Sequence, residues 1–456
     1  MNKTRALFLL TALYAVCVFV TSDDSTLRVM SMTACNFVSL AMGIYLLVEA
    51  GSKRAIVRAR DPLLGWGLLA CMWAPLTVVI SRFNSATAIP REANSFQWTH
   101  GMNAPDWRGF AFSARLALSV IALHFIYRAA CDARTHAKLV KVFSWAYAAF
   151  CTAVLVQIIS YRIFGVAMGQ IFFDDSGGFR IGSYVGEPSV LAGILASGYF
   201  LVFPWNDFPR EWPRLPAPTR WYTFVAATIG IVYTLSASVI TGLAVAILFT
   251  SAGRRKKLAT ISVIAVFLAA LKPIYSLTFD NAIVAKIAAE LTTVNIRSLS
   301  WIIGWRMWLA SPITGVGIGQ SPFFNSQFMP RNIYIPFDIG TYYNYAVMRY
   351  PPMNTYLELL SETGAIGFLI VAAGAQSVYR YQRARNAPST RAVRATFGMS
   401  LVTLLVSANS FPDAFYLAHL IFVLAMYLGG LHAYSMTQMP LPQAADSAPT
   451  TARGLA

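Results

Sequence analysis

The sequence predicts an all-α fold: a polytopic membrane bundle of about 12 transmembrane helices with one large external loop that contains amphipathic helices. Three observations predict this fold class. Hydrophobic residues make up 57% of the 456 residues and charged residues 12%, whereas soluble proteins carry about 25% charged residues. The apolar residues are grouped in blocks, and most blocks are close to the length of about 20 residues that a helix needs to cross a membrane. The basic residues are concentrated in alternate loops between these blocks.

The apolar blocks define the predicted spans. In chain order they are residues 6–21, 29–49, 62–81, 109–130, 139–164, 187–204, 221–236, 238–252, 258–276, 356–378, 395–411 and 414–434. The seventh and eighth blocks are short and meet at Ser236–Ser238. They form either one re-entrant hairpin or two spans joined by a tight external turn.

The spans divide the chain into four parts. Residues 1–276 hold the first nine helices and their short loops, residues 277–355 form the large external loop, and residues 356–436 hold the last three helices. Residues 437–456 are rich in Pro, Ala, Ser and Thr, which predicts a disordered tail.

Lysine and arginine predict the orientation. Lys3 and Arg5 precede the first span, which places the N-terminus in the cytoplasm. Every second loop is then rich in basic residues, and their excess over acidic residues in those loops and the two termini equals the net charge of +17. The positive charge therefore follows from topology, and it gives no reason to expect a nucleic-acid partner.

The large loop is longer than a connection needs, which is typical of functional loops. Residues 295–310 place isoleucine, leucine, methionine and three tryptophans among arginines and serines, which predicts an amphipathic helix at the membrane interface. We expect this helix to end at Ser311-Pro312. The Gly315-Val-Gly317-Ile-Gly319 segment predicts a turn with positive φ angles. A nucleotide-binding loop is disfavoured, because no strand precedes it and no lysine is adjacent.

Arginine is the main basic residue on the external side. Its planar guanidinium binds phosphate and pyrophosphate through paired hydrogen bonds. Five external arginines, four in the large loop and one in the external loop before it, predict a lipid-linked phosphate as ligand; the alternative is a set of surface or headgroup arginines. The five are Arg180, Arg297, Arg306, Arg331 and Arg349.

Three carboxylates are candidates for the same site. Glu187 precedes Pro188 at the start of a span, where it would either complement the helix dipole or act as a base or hydroxyl anchor. Arg180 lies seven residues earlier, close enough to share one site. Glu358 and Glu362 are four residues apart on one helix face, where they would either bind substrate or serve dipole compensation and interfacial solvation. No metal site and no cofactor are expected.

These pieces, in this order, resemble the superfamily of bacterial O-antigen polymerases and O-antigen ligases. The matching pieces are Arg297 to Trp301, Pro312 with the glycine-rich turn after it, Asn354-Xaa-Tyr356-Leu357-Glu358, and Glu362-Xaa-Gly364-Xaa-Xaa-Gly367. Gly186-Glu187-Pro188-Ser189 is similar to an element of the polymerase branch. The ligase branch has a histidine immediately before the asparagine, and here that residue is Met353. The resemblance therefore favours a polymerase.

The resemblance implies a metal-independent membrane glycosyltransferase, similar to the GT-C class, in the bacterial inner membrane with its active site facing the periplasm. Its donor would be an O-antigen or exopolysaccharide repeat unit on undecaprenyl pyrophosphate, and its acceptor a second lipid-linked unit. Membrane lipid, a chain-length regulator and a flippase are the other implied partners. Two alternatives are a ligase that transfers glycan to the lipid A core of lipopolysaccharide, and a polysaccharide transporter.

The resemblance also suggests roles for residues. Glu187 would be the base, and Arg180 and Arg297 would hold the pyrophosphate. The substrate-binding set would be Arg306, Arg331, Arg349, Asn354, Tyr356, Glu358 and Glu362. A transporter is disfavoured for two reasons. The sequence shows no repeated halves, and it has few charged residues within the spans, such as Arg115, whereas transporters usually carry charged residues at mid-membrane.

Overall fold

The structure is a computed structural model, and most of the residues that it describes are helical. The described residues are 3–20, 33–51, 61–83, 105–168, 170–173, 179–183, 188–203, 212–234, 236–249, 299–329, 352, 354–410 and 417–436. Outside them lie the predicted span 258–276, the predicted tail 437–456, Glu187, Arg297, Arg331, Arg349 and Met353.

Apart from α9, which belongs to the large loop, the helices coincide with predicted apolar blocks. They are α1 Lys3–Val20, α2 Ala34–Gly51, α3 Leu64–Ser81, α4 Pro105–Ala130, α5 Ala133–Phe164, α6 Pro188–Val202, α7 Ala217–Thr234, α8 Ala237–Phe249, α9 299–310, α10 Thr355–Ala384, α11 Met399–Ser407 and α12 Ala418–Met436. By length and composition, α3, α4, α5, α10 and α12 can each cross a membrane, and α1, α2, α6 and α8 contain shorter apolar helices. The prediction of a polytopic helical membrane protein is confirmed.

Local sequence sets the ends of the longest helix, α5. At its start, the Asp132 carboxylate accepts hydrogen bonds from the backbone N–H of Thr135 at 2.8 Å and from its hydroxyl at 2.7 Å. These bonds satisfy groups that have no partner inside the helix. At its end, Gly165 adopts a left-handed φ of 68°, which is the usual way to terminate a helix.

The core lies where α1, α4, α5, α6 and α12 meet, and aromatic rings fill much of it. Phe143 stacks on Phe422 with ring centroids 4.6 Å apart, and Phe19 lies 5.0 Å from Phe143. The Tyr147 hydroxyl donates to the Leu195 carbonyl oxygen at 2.6 Å. Because lipid tails are as apolar as the side chains, close packing rather than water exclusion holds such a bundle together.

The seventh and eighth predicted spans are distinct helices with different main neighbours. α7 packs against α6 and α5, whereas α8 packs mainly against α11. The α8–α11 crossing is close because a Cβ at Gly242 would lie 2.6 Å from the Thr403 carbonyl oxygen. The Ser407 hydroxyl also donates to the Ser238 carbonyl oxygen at 3.4 Å.

One element departs from the all-α prediction. Strands β1 Gln170–Phe173 and β2 Phe179–Ser183 pair antiparallel, with Arg180 opposite Phe172. The strands contain isoleucine and phenylalanine, which favour extended backbone. β2 packs against α6 and α7, so this hairpin leads the chain into α6.

Candidate functional site

Helix α9 is amphipathic, as predicted, over residues 299–310. Leu299, Ile303 and Met307 follow one another at intervals of four residues and are at most 1% exposed. They pack into a small core with the chain that follows the helix. Trp301 and Trp305 point elsewhere and are 43% and 49% exposed. The helix thus uses one face for packing and presents aromatic rings on another.

The glycine-rich turn after α9 has the predicted backbone. Gly315, Gly317 and Gly319 have φ angles of 70°, 104° and 69°. These are conformations that residues with a side chain rarely adopt. A Cβ at Gly315 would also overlap the backbone of Glu362 in α10. The turn therefore lies directly on the α10 backbone.

At this contact α10 is broken. Gly364 has φ 66° and ψ −169° inside the helix, and a Cβ there would overlap the Ile313 carbonyl oxygen. The Ala365 N–H, which a continuous helix would pair with Ser361, donates instead to the Pro312 carbonyl oxygen at 2.8 Å. The break frees backbone groups of α10 for bonds to the turn.

The turn uses the carbonyls that the break leaves open. The Val316 N–H donates to the Ser361 carbonyl oxygen at 2.8 Å, and the Gly317 N–H donates to the Glu362 carbonyl oxygen at 2.9 Å. The helix has thus exchanged its own hydrogen bonds for bonds to the turn. We call this contact, between residues 312–321 and residues 361–366, the clasp.

The Glu362 carboxylate completes the clasp. It is 3% exposed. One of its oxygens accepts from the Gly319 N–H at 2.8 Å. The other accepts from the Ser321 N–H at 3.3 Å and from the Ser321 hydroxyl at 2.7 Å. A buried carboxylate held by three donors of one turn fixes that turn against α10.

Helix α3 supports the clasp from a third side. The Trp73 indole N–H donates to the Thr363 carbonyl oxygen at 3.0 Å. The Thr77 hydroxyl accepts from the Ile318 N–H at 3.1 Å, and the Ser81 hydroxyl donates to the Gln320 amide oxygen at 3.1 Å. Sequence reasoning missed these α3 residues. Their signal was the pair of hydroxyl side chains, four residues apart, in an otherwise apolar span.

Glu358 and Glu362 lie on one face of α10, as their spacing predicts. Both line a cavity of about 60 Å³ together with residues of α3 and α4. They are 5% and 3% exposed. Such burial does not fit simple solvation at the membrane interface, because a carboxylate in an apolar environment needs hydrogen-bond or charge partners.

The first turn of α10 is fixed by Asn354. Its side-chain oxygen accepts from the N–H groups of Tyr356 at 3.0 Å and Leu357 at 3.1 Å, which is the geometry of a helix N-cap. Its amide nitrogen donates to the Asn409 side-chain oxygen at 2.9 Å. The Tyr356 hydroxyl donates to the Leu405 carbonyl oxygen at 2.6 Å. These bonds connect the start of α10 to α11 and the turn after it.

An open groove of about 750 Å³ lies between α9 and α10. Trp301 and Trp305 form part of its apolar wall, and Arg306, Asn354 and Tyr356 contribute polar atoms. Arg306 is exposed, and it donates to the Phe328 carbonyl oxygen at 3.4 Å. The groove thus brings together three predicted substrate-binding residues and separates them from the cavity of Glu358 and Glu362.

The predicted catalytic residues are only partly described. The backbone of Arg180 lies in β2, which packs against α6, and Glu187 immediately precedes the first residue of that helix. Glu187 and Arg297 lie outside the described residues, as do Arg331 and Arg349 of the predicted substrate-binding set. Their roles stay predictions.

Comparison with known proteins bears on the same region. Residues 222–372 match a family model described as O-antigen ligase. The match includes α9, the clasp and the start of α10, and it excludes the β1–β2 hairpin and Glu187. No curated protein matches the chain.

The matched family consists of membrane glycosyltransferase-like enzymes, so the match supports an O-antigen ligase- or polymerase-type function in general. It agrees with the apolar helices in indicating a membrane protein, and the family implies a lipid-linked glycan substrate. The match at residues 222–372 supports the resemblance to the O-antigen ligase and polymerase superfamily that the motifs predict.

Proposed function

We propose that this protein polymerises oligosaccharide repeat units carried on undecaprenyl pyrophosphate at the periplasmic face of the inner membrane. The observation that carries the proposal is the α9–α10 groove, whose lining residues from Trp301 to Phe368 lie inside the family match. It combines exposed tryptophans, an arginine and a pair of asparagine amides within one open volume. These groups suit a ligand with sugar, phosphate and hydrocarbon parts.

Each wall of the groove has a chemical task in this proposal. Trp301 and Trp305 offer broad apolar faces to a sugar ring or a prenyl chain. Arg306 offers charge-assisted hydrogen bonds to phosphate oxygens. Asn354 and Asn409, which pair with each other, offer amide groups to sugar hydroxyls.

The reaction joins an acceptor hydroxyl oxygen to the anomeric carbon of the donor sugar and breaks the bond from that carbon to the pyrophosphate oxygen. The acceptor hydroxyl proton goes to the base, for which we propose Glu187. The leaving pyrophosphate gains charge, and Arg180 and Arg297 would stabilise it. Two observations support this placement: β2 packs against α6, which Glu187 precedes, and Arg297 lies two residues before the described part of α9.

Residue 353 favours a polymerase over a ligase. The ligase branch places a histidine immediately before the asparagine that corresponds to Asn354, and this chain has Met353 there. Methionine cannot transfer a proton. The description of the matched family as O-antigen ligase favours the second candidate, transfer of finished glycan to the lipid A core.

The surface polysaccharide of a strain that lacks this chain separates the two candidates. Single repeat units attached to the lipid A core indicate a polymerase. Polymer that remains free of the lipid A core indicates a ligase and contradicts the proposal. Polysaccharide of normal length and normal attachment contradicts both.

A matched pair of variants tests the groove, with purified protein in a transfer assay and with polymer length in the complemented strain. Trp305→Ala removes a groove wall and should lower the transfer efficiency, kcat/KM, by about tenfold or more, the effect of losing an important aromatic contact. Trp221→Ala removes a tryptophan of similar exposure, 45% against 49%, that does not line the groove. It should leave polymer length unchanged. Equal activities would show that the groove does not bind substrate.

A further inference from the structure

A second large cavity, of about 730 Å³, opens within the helix bundle among α3, α4, α10, α11 and α12. Its lining includes Leu63, just before α3, and Gln382, in the last turn of α10. The groove is lined by α10 residues from Tyr356 to Phe368, and the cavity by α10 residues from Ile370 to Gln382. The two spaces therefore adjoin different halves of α10, and Gln382 lies at the end of the helix away from Asn354.

The wall of this cavity is mostly apolar. Trp66, Val371 and Leu424 are typical of the side chains that line it. Protein interiors are close-packed, and voids much larger than a water molecule are rare. Water would fill such a volume only where several polar groups offer it partners. The expected occupant is therefore a hydrocarbon chain.

The polar end of the cavity carries positive charge. Arg391 and Arg394 both line it. They lie in the short helical turn Arg391–Val393 and in the π-helical turn Arg394–Gly398 that follows, and π-turns are frequent at functional sites. Arg394 donates to the Asn386 side-chain oxygen and to the Ala387 carbonyl oxygen, both uncharged. Among the described residues, no carboxylate forms an ion pair with Arg394.

We propose that this cavity binds one anionic glycerophospholipid, with a hydrocarbon tail against the apolar wall and the phosphate on Arg391 and Arg394. Arginine binds phosphate through paired, charge-assisted hydrogen bonds. The head lies at the end of α10 that the basic loops predict to be cytoplasmic, where anionic lipids attract basic residues. A lipid-linked glycan with its pyrophosphate at the opposite end would not place its head here. The proposal is thus independent of the proposed reaction.

A lipid titration tests the proposal directly. The purified full chain in nonionic detergent is titrated with fluorescently tailed phosphatidylglycerol and with phosphatidylcholine that has the same tails. We expect one phosphatidylglycerol per chain, and binding at least about tenfold weaker for the zwitterionic lipid. Inorganic phosphate should not compete. Equal affinities for the two lipids, or stronger competition by undecaprenyl phosphate than by phosphatidylglycerol, would overturn the proposal.

Two pairs of variants locate the lipid. Ala375→Phe places a ring in the cavity from an exposed position, and Ala372→Phe places the same ring at an exposed position of α10 outside the lining. The combined change Arg391→Gln and Arg394→Gln removes the charge at the cavity end, and Arg383→Gln removes a nearby exposed charge that does not line it.

The two cavity variants should weaken phosphatidylglycerol binding by about tenfold, whereas both controls should bind as the unchanged protein does. Arg391 is exposed, so the arginine pair tests the proposal even if Ala375→Phe fails to fold. Unchanged affinity in the folded arginine variant would refute a phosphate site at this end.

Discussion

The clasp and the groove are built on different faces of the same helix, α10, and they treat polar groups in opposite ways. In the clasp, the carboxylate of Glu362 and the backbone groups released by the break at Gly364 are paired with the turn after α9. In the groove, tryptophans remain exposed, and Arg306 is among the lining residues of an open volume. The first region is committed to structure, whereas the second retains surface for a ligand.

The difference has an energetic basis. A broken helix leaves backbone donors and acceptors unpaired, and each buried group without a partner costs about 1–3 kcal/mol. The cost rises inside a membrane, where water is absent. In the clasp, these backbone groups find hydrogen-bond partners in the turn after α9, which offsets the cost. The residues of the clasp should therefore tolerate little change. The groove tryptophans, Trp301 and Trp305, are exposed and lie outside the clasp, so their replacement should affect activity more than folding.

Gly364→Ala should have the largest effect. The φ of 66° and ψ of −169° belong to a region that is essentially restricted to glycine and costs other residues about 1–3 kcal/mol. The added Cβ would also overlap the Ile313 carbonyl oxygen and force the clasp apart. We expect a large loss of folded protein and a lower melting temperature in detergent.

Gly374→Ala is the matched control in the same helix. Its added Cβ would lie 3.5 Å from the nearest atom, in the Leu63 side chain, which is ordinary contact. Alanine is preferred over glycine inside a helix by about 0.5–1 kcal/mol. This variant should melt at or slightly above the temperature of the unchanged protein. A Gly364→Ala variant that melts as Gly374→Ala does would show that the clasp contributes little stability.

Glu362→Gln should have the next largest effect. Glutamine replaces one acceptor oxygen by an NH₂ group, which would then face an N–H of Gly319 or Ser321. The unpaired donors should lower the free energy of unfolding by about 1–3 kcal/mol. Ser321→Ala, which removes one of the three bonds, should cost about 1 kcal/mol.

Chemical denaturation of both variants measures these costs, and a glycan transfer assay accompanies it. A Glu362→Gln variant of unchanged stability that has lost transfer would mean that Glu362 binds substrate. The clasp and the groove would then share the chemistry.

Much of the bundle was predictable because it depends on local patterns. Apolar blocks of the right length became helices, and three alternate glycines became a turn with positive φ angles. The start of α10 at Asn354 also follows from a local signal, since asparagine is a preferred N-cap.

Features decided by distant partners were not predictable. Gly364 lies in a span that reads as one continuous helix, and its break depends on a turn about 50 residues earlier in the chain. The same holds for the cavity near Arg394. Its small residues, such as Gly374 and Ala375, would equally predict close helix contacts. Whether small residues line a cavity or a close helix contact depends on how the helices are arranged, and one sequence does not give that arrangement.

Tyr356→Phe should have the smallest effect, and it distinguishes a structural role of the hydroxyl from a role in substrate binding. The tyrosine ring lines the groove, while its hydroxyl donates to the Leu405 carbonyl oxygen at 2.6 Å. If the hydroxyl only ties α10 to α11, its loss should cost about 0.5–1.5 kcal/mol of stability and leave transfer within about twofold. Tyr356→Leu also removes the ring and should lower transfer further. The exposed Tyr222 supplies the control, and Tyr222→Phe should change neither quantity. A Tyr356→Phe variant of full stability without transfer would make the hydroxyl part of the substrate site.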